Sequence, residues 1–294
     1  MNLNVASPSA CDSTSPNFDP NYHLGCGIPS APFGPFTTIA NINDKGDARY
    51  DSLQIKAETK SARHGIYALL GYTYARNFDS GFADGLGSTA GPTYFPLPGT
   101  RRADWALSQI QLNHNFTASV IYDLPFGKGK RFGSSWNGGV DAVLGNWEVD
   151  VIQKITSGFP VFILDSNNQS GSSFAFPNPN RPDQTCAASS SDPTVNKWFN
   201  TQCFAPAGPG KLGNSTRTPV YGPGFVNTDF SAIKHFPLPW REGMMIDFRA
   251  EFFNLFNHAQ FYLPSSDISS AGFGAISQTV NNPRLIQFAL KLRF

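Results

Sequence analysis

Apolar and polar residues alternate along seven segments of the chain. A period of two places successive side chains on opposite faces of a β-strand, so each segment predicts a strand with one apolar face and one polar face. The last segment is the clearest, and its apolar positions are Ile286, Phe288, Leu290, Leu292 and Phe294. The positions between them are Gln287, Ala289, Lys291 and Arg293. We therefore predict that the chain ends in a two-faced strand.

The sixth segment carries charged residues on its polar face. Its apolar positions Ile246, Phe248, Ala250 and Phe252 alternate with Asp247, Arg249 and Glu251, and the strand is expected to reach about Phe256. Such a charged face lies in water in a soluble two-sheet sandwich, or lines the polar lumen of a membrane barrel. A catalytic acid–base cluster is a third interpretation of the same residues, and the barrel wall is the one we favour.

Five earlier segments alternate in the same way, and they begin near Leu53, Ile66, Leu112, Trp147 and Val226. The apolar sets of the third and fourth include Val120, Tyr122, Trp147 and Val149. The fourth strand is expected to continue to about Leu164. In the fifth segment Lys234 interrupts the apolar face, and its position near the strand end predicts that the ammonium group extends into water.

The connections between these strands alternate in length. In chain order they are short (61–63), long (78–108), medium (125–143), long (165–224), short (237–243) and long (258–283). Consecutive antiparallel strands that cross a bilayer show this pattern, with short turns on the periplasmic side and long loops outside. The pattern predicts an all-β fold, an antiparallel transmembrane β-barrel.

Composition agrees with many turns and few helices, since the chain has 27 Gly and 23 Pro and only 15% charged residues. It contains no run of 18 apolar residues that would predict a transmembrane helix. The net charge is +1 and the basic residues are scattered, so a nucleic-acid partner is not expected.

Catalytic and cofactor motifs are not found in the sequence. The five histidines are dispersed, and neither a zinc-protease helix motif, a nucleophile elbow nor a phosphate-binding glycine loop occurs. We therefore expect that the protein is not an enzyme, and no cofactor or metal site is predicted.

Four cysteines form two local pairs, Cys11 with Cys26 and Cys186 with Cys203, each in a loop-like segment rich in Pro, Gly, Ser and Asn. Paired loop cysteines favour disulfides and an oxidising compartment. Zinc binding remains an alternative, although neither pair has the close spacing of structural zinc sites, and free thiols are the third possibility.

Several short blocks of the chain resemble one family. They include the stretches at 101–105, 113–116, 122–130, 144–147, 157–160 and 248–258, and the ending 283–294. Together they resemble the barrel of Oar-like TonB-dependent receptors, which carry a carboxypeptidase-regulatory-like domain at the N-terminus. The similarity covers about residues 45 to 294.

The resemblance implies an outer-membrane location and energised uptake of a small ligand through the TonB system. Members also have a signal peptide, a plug and further strands, and large transporters have about 22 strands. We therefore expect residues 47–294 to be the C-terminal portion of such a barrel, about seven strands of it, and residues 1–46 to be the remainder of a preceding surface loop. The TonB system would be reached through missing N-terminal parts of a truncated chain.

The faces of the strands assign roles within such a barrel. Lumen-facing positions would be Asp247, Arg249, Glu251, Lys291 and Arg293. Lipid-facing positions would be Val120, Tyr122, Trp147, Val149, Phe248 and Phe252, in contact with outer-membrane lipid. The apolar residues Phe288, Leu290, Leu292 and Phe294 of the last strand resemble the signal read by the barrel-assembly machinery, although any lipid-facing terminal strand has this pattern. The rival prediction is a secreted, soluble β-sandwich adhesin or glycan-binding module.

Overall fold

The computed structural model of the protein describes residues 47–61, 65–80, 105–167, 181–208, 213–240 and 243–294. Most of these residues belong to one antiparallel sheet. Its long strands are β1 (Ala48–Ser61), β2 (Ile66–Asp79), β4 (His114–Asp123), β5 (Trp147–Thr156), β10 (Phe225–Pro237), β11 (Met245–Phe253) and β12 (Leu285–Arg293). The prediction of an all-β antiparallel fold is confirmed.

The long strands pair in the order β1-β2-β4-β5-β10-β11-β12, and the two-residue strand β3 (Ala106–Leu107) pairs with β2 at one side. Each long strand is therefore hydrogen-bonded to the strands nearest to it in sequence. The registers keep apolar residues opposite apolar residues, for example Val120 opposite Val151 and Phe248 opposite Leu290. The alternation in the sequence thus becomes two continuous faces of the sheet.

Because neighbouring long strands are antiparallel, their connections leave the sheet at alternate edges. The three long connections, 80–113, 157–224 and 254–284, all emerge at one edge. The shorter connections, 62–65, 124–146 and 238–244, emerge at the other. We call these two sides of the sheet, each formed by the ends of the strands, the long-loop edge and the short-turn edge.

The long connections contain short strands that pair with one another. Strand β6 (Pro160–Val161) pairs with β9 (Val220–Tyr221), and β7 (Asp183–Gln184) pairs with β8 (Phe204–Ala205). A 3₁₀ turn (Thr201–Cys203) precedes β8. Around them lies a hydrophobic core, here called the loop core, made of Val161, Ile163, Ala188, Phe199, Cys203, Phe204 and Val220. The principal apolar core of the described residues therefore lies in the loops.

Two strands end earlier than the alternation predicts. Strand β5 stops at Thr156, and Gly158 then lies so close to the carbonyl of Gly222 that a β-carbon would collide with it. Strand β11 stops at Phe253, because Asn254 and Asn257 adopt left-handed backbone angles, with φ of 53° and 52°. Asparagine tolerates this conformation better than most residues, and it turns the chain into the following loop.

The medium connection contains the helix α1 (Gly138–Leu144). Asn137 caps it, since its side-chain oxygen accepts a hydrogen bond from the Val140 N–H at 2.9 Å. No helix in the described part of the chain is long and apolar enough to cross a membrane.

Candidate functional site

The polar face of the sheet gathers charges from five neighbouring strands near the short-turn edge. Strand pairing brings Asp123 opposite Glu148, His235 opposite Asp247, and Asp247 opposite Lys291. These residues are up to 168 positions apart in sequence (291 − 123 = 168). The register alone makes them neighbours.

Asp247 is the centre of an ion-pair network on this face. Its carboxylate accepts hydrogen bonds from Arg293, with Nε at 2.6 Å from Oδ2 and a terminal nitrogen at 2.9 Å from Oδ1. The His235 Nδ1 lies 2.7 Å from Oδ1, and its Nε2 lies 3.9 Å from Glu148. Hydrogen bonds to a charged, buried carboxylate are among the stronger ones in proteins. This network links four strands, β5, β10, β11 and β12.

The remaining charged positions assigned from the sequence share the same face. Arg249 pairs with Glu251 along β11, with nitrogen and oxygen 3.1 Å apart. Lys291 has no ion-pair partner among the described residues. His235 and Glu148 were not singled out as site residues from the sequence, because each is only one polar position in an alternating strand.

A groove of about 370 Å³ opens beside this network at the short-turn edge. Its walls include Lys130 and Arg293 as well as Asp123, Glu148 and His235. Both signs of charge are therefore present, which suits contact with polar or ionic solutes. In the described part of the chain, no group of three or more His, Cys, Asp and Glu side chains is placed to hold a metal ion.

The opposite face is apolar and carries many exposed large side chains. The positions assigned to lipid, Val120, Tyr122, Trp147, Val149, Phe248 and Phe252, all lie on it. In β12, Leu290 is 72% exposed and Phe288 stacks on Phe248 across the strands at 6.1 Å. An apolar surface of this extent needs an apolar partner to be stable.

Lys234 is the exception on the apolar face, and its surroundings differ from the predicted extension into water. The residue is only 2% exposed. Its ammonium group donates hydrogen bonds to the carbonyl oxygens of Gly145 and Asp141, the latter at 3.3 Å. These carbonyls lie at the C-terminal end of α1, where the helix carries partial negative charge. The predicted extension of Lys234 into water is wrong because α1 covers this side chain. The alternation of apolar and polar residues gave no sign of that helix.

The C-terminal strand β12 forms an outer edge of the sheet. It pairs with β11, and its other edge has no strand partner among the described residues. The apolar side chains of Phe288, Leu290 and Leu292 are exposed, and Phe294 is 88% exposed. An extended strand with free backbone groups and an apolar face is suited to pairing with another strand.

The loop core is closed by a disulfide between Cys186 and Cys203, as the sequence predicts. The second predicted pair, Cys11 and Cys26, lies outside the described residues. Phe199 packs edge-on against Phe204 and Phe273, with ring centroids 6.0 and 5.3 Å apart. Phe273 comes from the last long loop, so two loops share one core.

The same loop region is joined to the sheet by polar contacts. Arg217 forms a buried ion pair with Asp79 at the end of β2. The Thr218 hydroxyl donates to the Leu107 carbonyl at 2.9 Å. These contacts hold the Arg217–Thr218 part of the 157–224 connection against the long-loop edge.

Two buried glutamines bind strand backbones with their side-chain amides. Gln260 accepts from the Val226 N–H at 2.8 Å and donates to the Val226 carbonyl at 2.5 Å. Gln111 does the same between the Asn77 N–H and the Ala75 carbonyl, at 2.6 and 2.5 Å. Each side-chain amide thus makes the two backbone hydrogen bonds that a residue of a neighbouring strand would otherwise make at the long-loop edge. Neither glutamine was predicted from the sequence, because no sequence pattern distinguishes a glutamine that binds a strand backbone from any other loop glutamine.

Two aspartates in the loops have opposite pKa shifts. Burial raises the pKa of Asp165, and the neighbouring charge of Asp267 adds to it against one hydrogen bond from the Asn167 N–H. Burial also acts to raise the pKa of Asp267, but hydrogen bonds from Ser166 and Ser269 outweigh it and hold the pKa below its ordinary value.

Comparison with known protein families gives a match over most of the chain. The sequence profile of a family described as "Outer membrane beta barrel domain" matches residues 1–287. No curated protein and no solved structure matches the chain. The matched range includes the first six long strands and the whole loop core.

Proposed function

Because the chain belongs to the outer membrane β-barrel domain family and therefore lies in the outer membrane, we propose that it forms wall and surface loops of a TonB-dependent transporter. In this proposal the polar face lines the lumen and the apolar face contacts lipid. The long-loop edge faces the outside and the short-turn edge faces the periplasm, as in bacterial barrels generally.

The observation that carries the proposal is the charged polar face. Asp247, Arg293 and Glu148 lie on the side of the sheet opposite Phe248 and Leu290. In hydrocarbon, such charges are costly unless they face protein or a water-filled interior. Charges of both signs on this face suit a water-filled lumen through which a polar solute passes. The resemblance to Oar-like receptors supports coupling of this transport to the TonB system.

The soluble β-sandwich does not fit the described residues. The long strands form a single sheet, and the other sheets have only two strands each. A sandwich would bury the apolar face against a second sheet, but Leu290 and Phe288 are exposed. The family match agrees with a barrel.

Two further parts of the proposal concern partners and chemistry. We infer that β12 is the strand read by the barrel-assembly machinery, because its apolar side chains are exposed and its outer side pairs with no other described strand, which allows strand addition. We infer also that the protein performs transport without catalysis. The charged groups on the polar face are then wall residues, and the solute is a small polar or ionic ligand.

The test compares bacteria that lack this gene, the tonB gene, or both. Growth is measured on a panel of limiting nutrients that includes iron–siderophore complexes, vitamin B12 and oligosaccharides. We expect one nutrient for which the two single deletions show a shared defect that the double deletion does not deepen. A barrel found in the outer membrane whose loss affects no TonB-dependent nutrient on the panel would contradict the proposal.

A further inference from the structure

The helix α1 lies on the lipid side of the sheet. Two side chains of the apolar face hold its C-terminal end: Lys234 through the Asp141 and Gly145 carbonyls, and Trp147, whose indole N–H donates to the Val143 carbonyl at 2.8 Å. Lys234 and Trp147 are opposite each other in neighbouring strands. Because both point to the apolar face, the part of α1 that covers them is on that face too.

The helix presents an apolar stripe that no described residue buries. Val140, Val143 and Leu144 are spaced three and four residues apart, so they share one side of the helix. All three are exposed, and Val143 is 64% exposed. The stripe therefore faces the surroundings of the barrel.

Exposed basic residues stand in the same connection. Lys128 and Arg131 precede the helix, and the Lys128 N–H donates to the Asp141 carboxylate at 2.7 Å, which fixes this stretch against α1. An apolar stripe beside exposed cations is the composition of elements that lie in a membrane interface. The segment 126–145 is called the α1 foot below.

We propose that the α1 foot is a phospholipid-binding element in the periplasmic leaflet of the outer membrane. Its stripe enters the acyl chains next to the lipid-contacting face, and Lys128 and Arg131 contact headgroup phosphates. The location follows from the short-turn edge, and the occupant follows from continuity with the apolar face and from charge complementarity. The helix also gives Lys234 carbonyl partners, so that this cation is not exposed to hydrocarbon.

The experiment uses the full chain in the outer membrane of cells grown with ³²P-phosphate. A photoreactive benzoylphenylalanine replaces Val143, and the matched control replaces Lys291, an exposed residue on the polar face near the same end of the sheet. A second control replaces Val151, on the apolar face in the middle of β5. We expect radioactive phospholipid adducts at positions 143 and 151 and few at 291.

Adducts at 151 without adducts at 143 would overturn the proposal while leaving the barrel and its transport role intact. Adducts at neither position would overturn it together with the placement of the apolar face in lipid. Equal adducts at 291 and 143 would also overturn it, because the apolar stripe would then contact phospholipid no more than the polar face does.

The basic residues are tested by the double variant Lys128→Glu/Arg131→Glu, again with the photoreactive group at 143. We expect the share of phosphatidylglycerol in the adducts, relative to phosphatidylethanolamine, to fall by roughly tenfold, since each basic residue near an anionic surface contributes a several-fold preference. Lys56→Glu/Lys60→Glu, on exposed β1, is the matched charge control. If the share of phosphatidylglycerol in the adducts is unchanged, the proposed contacts of Lys128 and Arg131 with headgroup phosphates are wrong.

Discussion

Arg293 holds the carboxylate of Asp247 with two hydrogen bonds, one from Nε at 2.6 Å and one from a terminal nitrogen at 2.9 Å. The two residues are not directly opposite each other, since Asp247 faces Lys291 and Arg293 faces Met245. The contact therefore runs diagonally across the β11–β12 pair. A slip of β12 by one residue would turn Arg293 to the other face and break it.

The substitution Arg293→Ala should lower the stability of the folded barrel by about 1–2 kcal/mol, because Asp247 loses a charged partner and the partly exposed arginine limits the effect. Lys291→Ala is the control on the same strand face. The measurement is the temperature at which the heat-modifiable gel band converts to the unfolded form. Equal midpoints for the two variants would show that the diagonal pair does not stabilise β12.

The substitution Phe294→Asp should sharply reduce the amount of folded protein in the outer membrane, because a charge enters the apolar side of the strand proposed for assembly. The control is Trp240→Asp, which changes a side chain that is 78% exposed at the same edge but outside β12. Quantitative blotting of membrane fractions measures both. Unchanged insertion of the Phe294 variant would contradict the assembly role.

Loss of the Cys186–Cys203 disulfide should destabilise the loop core by roughly 3 kcal/mol, through the greater freedom of the unfolded loop. Trypsin added to intact cells should then cleave faster after Lys197, which lies between the two cysteines. The double variant Cys186→Ser/Cys203→Ser and reductant-treated wild type should behave alike. If reductant also accelerates cleavage of the double variant, the faster cleavage does not result from loss of the Cys186–Cys203 disulfide.

The substitution Gln260→Ala should free the Val226 N–H and carbonyl from their side-chain partner and cost about 1–3 kcal/mol locally. Hydrogen exchange of the peptide around Val226 should accelerate. Gln278→Ala, at an exposed position of the same loop, serves as the control. Protection that survives the Gln260 change would mean that another group satisfies the strand end.

The pH dependence of the loop region should differ between its two aspartates. The pKa of Asp165 is raised above 3.8 by burial, so the folded loop favours the protonated form, and this contribution to stability is lost as pH rises from about 3.8 through the folded pKa. The variant Asp165→Asn should therefore stabilise the loops at neutral pH.

For Asp267 the sign is reversed. Although burial opposes it, hydrogen bonding holds the pKa of Asp267 below 3.8, so its contribution is present above 3.8 and is lost as pH falls below that value. Asp267→Asn should destabilise the loops at neutral pH. Hydrogen exchange of residues 163–167 at neutral and acidic pH, corrected for intrinsic rates, measures both variants. If both variants change the exchange rate at neutral pH in the same direction, the opposite pKa shifts assigned to Asp165 and Asp267 are wrong.

The positions and faces of the long strands follow from the sequence because alternation is local. The pattern Asp247-Phe248-Arg249 defines two faces before any partner strand is known. The medium connection shows the limit of this information. Its helix α1 has only a short apolar stripe, and the reason for its position, the buried Lys234, lies 89 residues beyond Gly145.

The seven main strands, their apolar and polar sides and the edge from which the long loops emerge follow from the sequence, which also favoured the disulfide between Cys186 and Cys203. Which loops share a core and which charges meet became clear from the three-dimensional fold. Arg217 finds Asp79 across 138 residues, and such contacts depend on strand register and loop packing together. Periodicity contains no information on either, because it describes each segment without its neighbours.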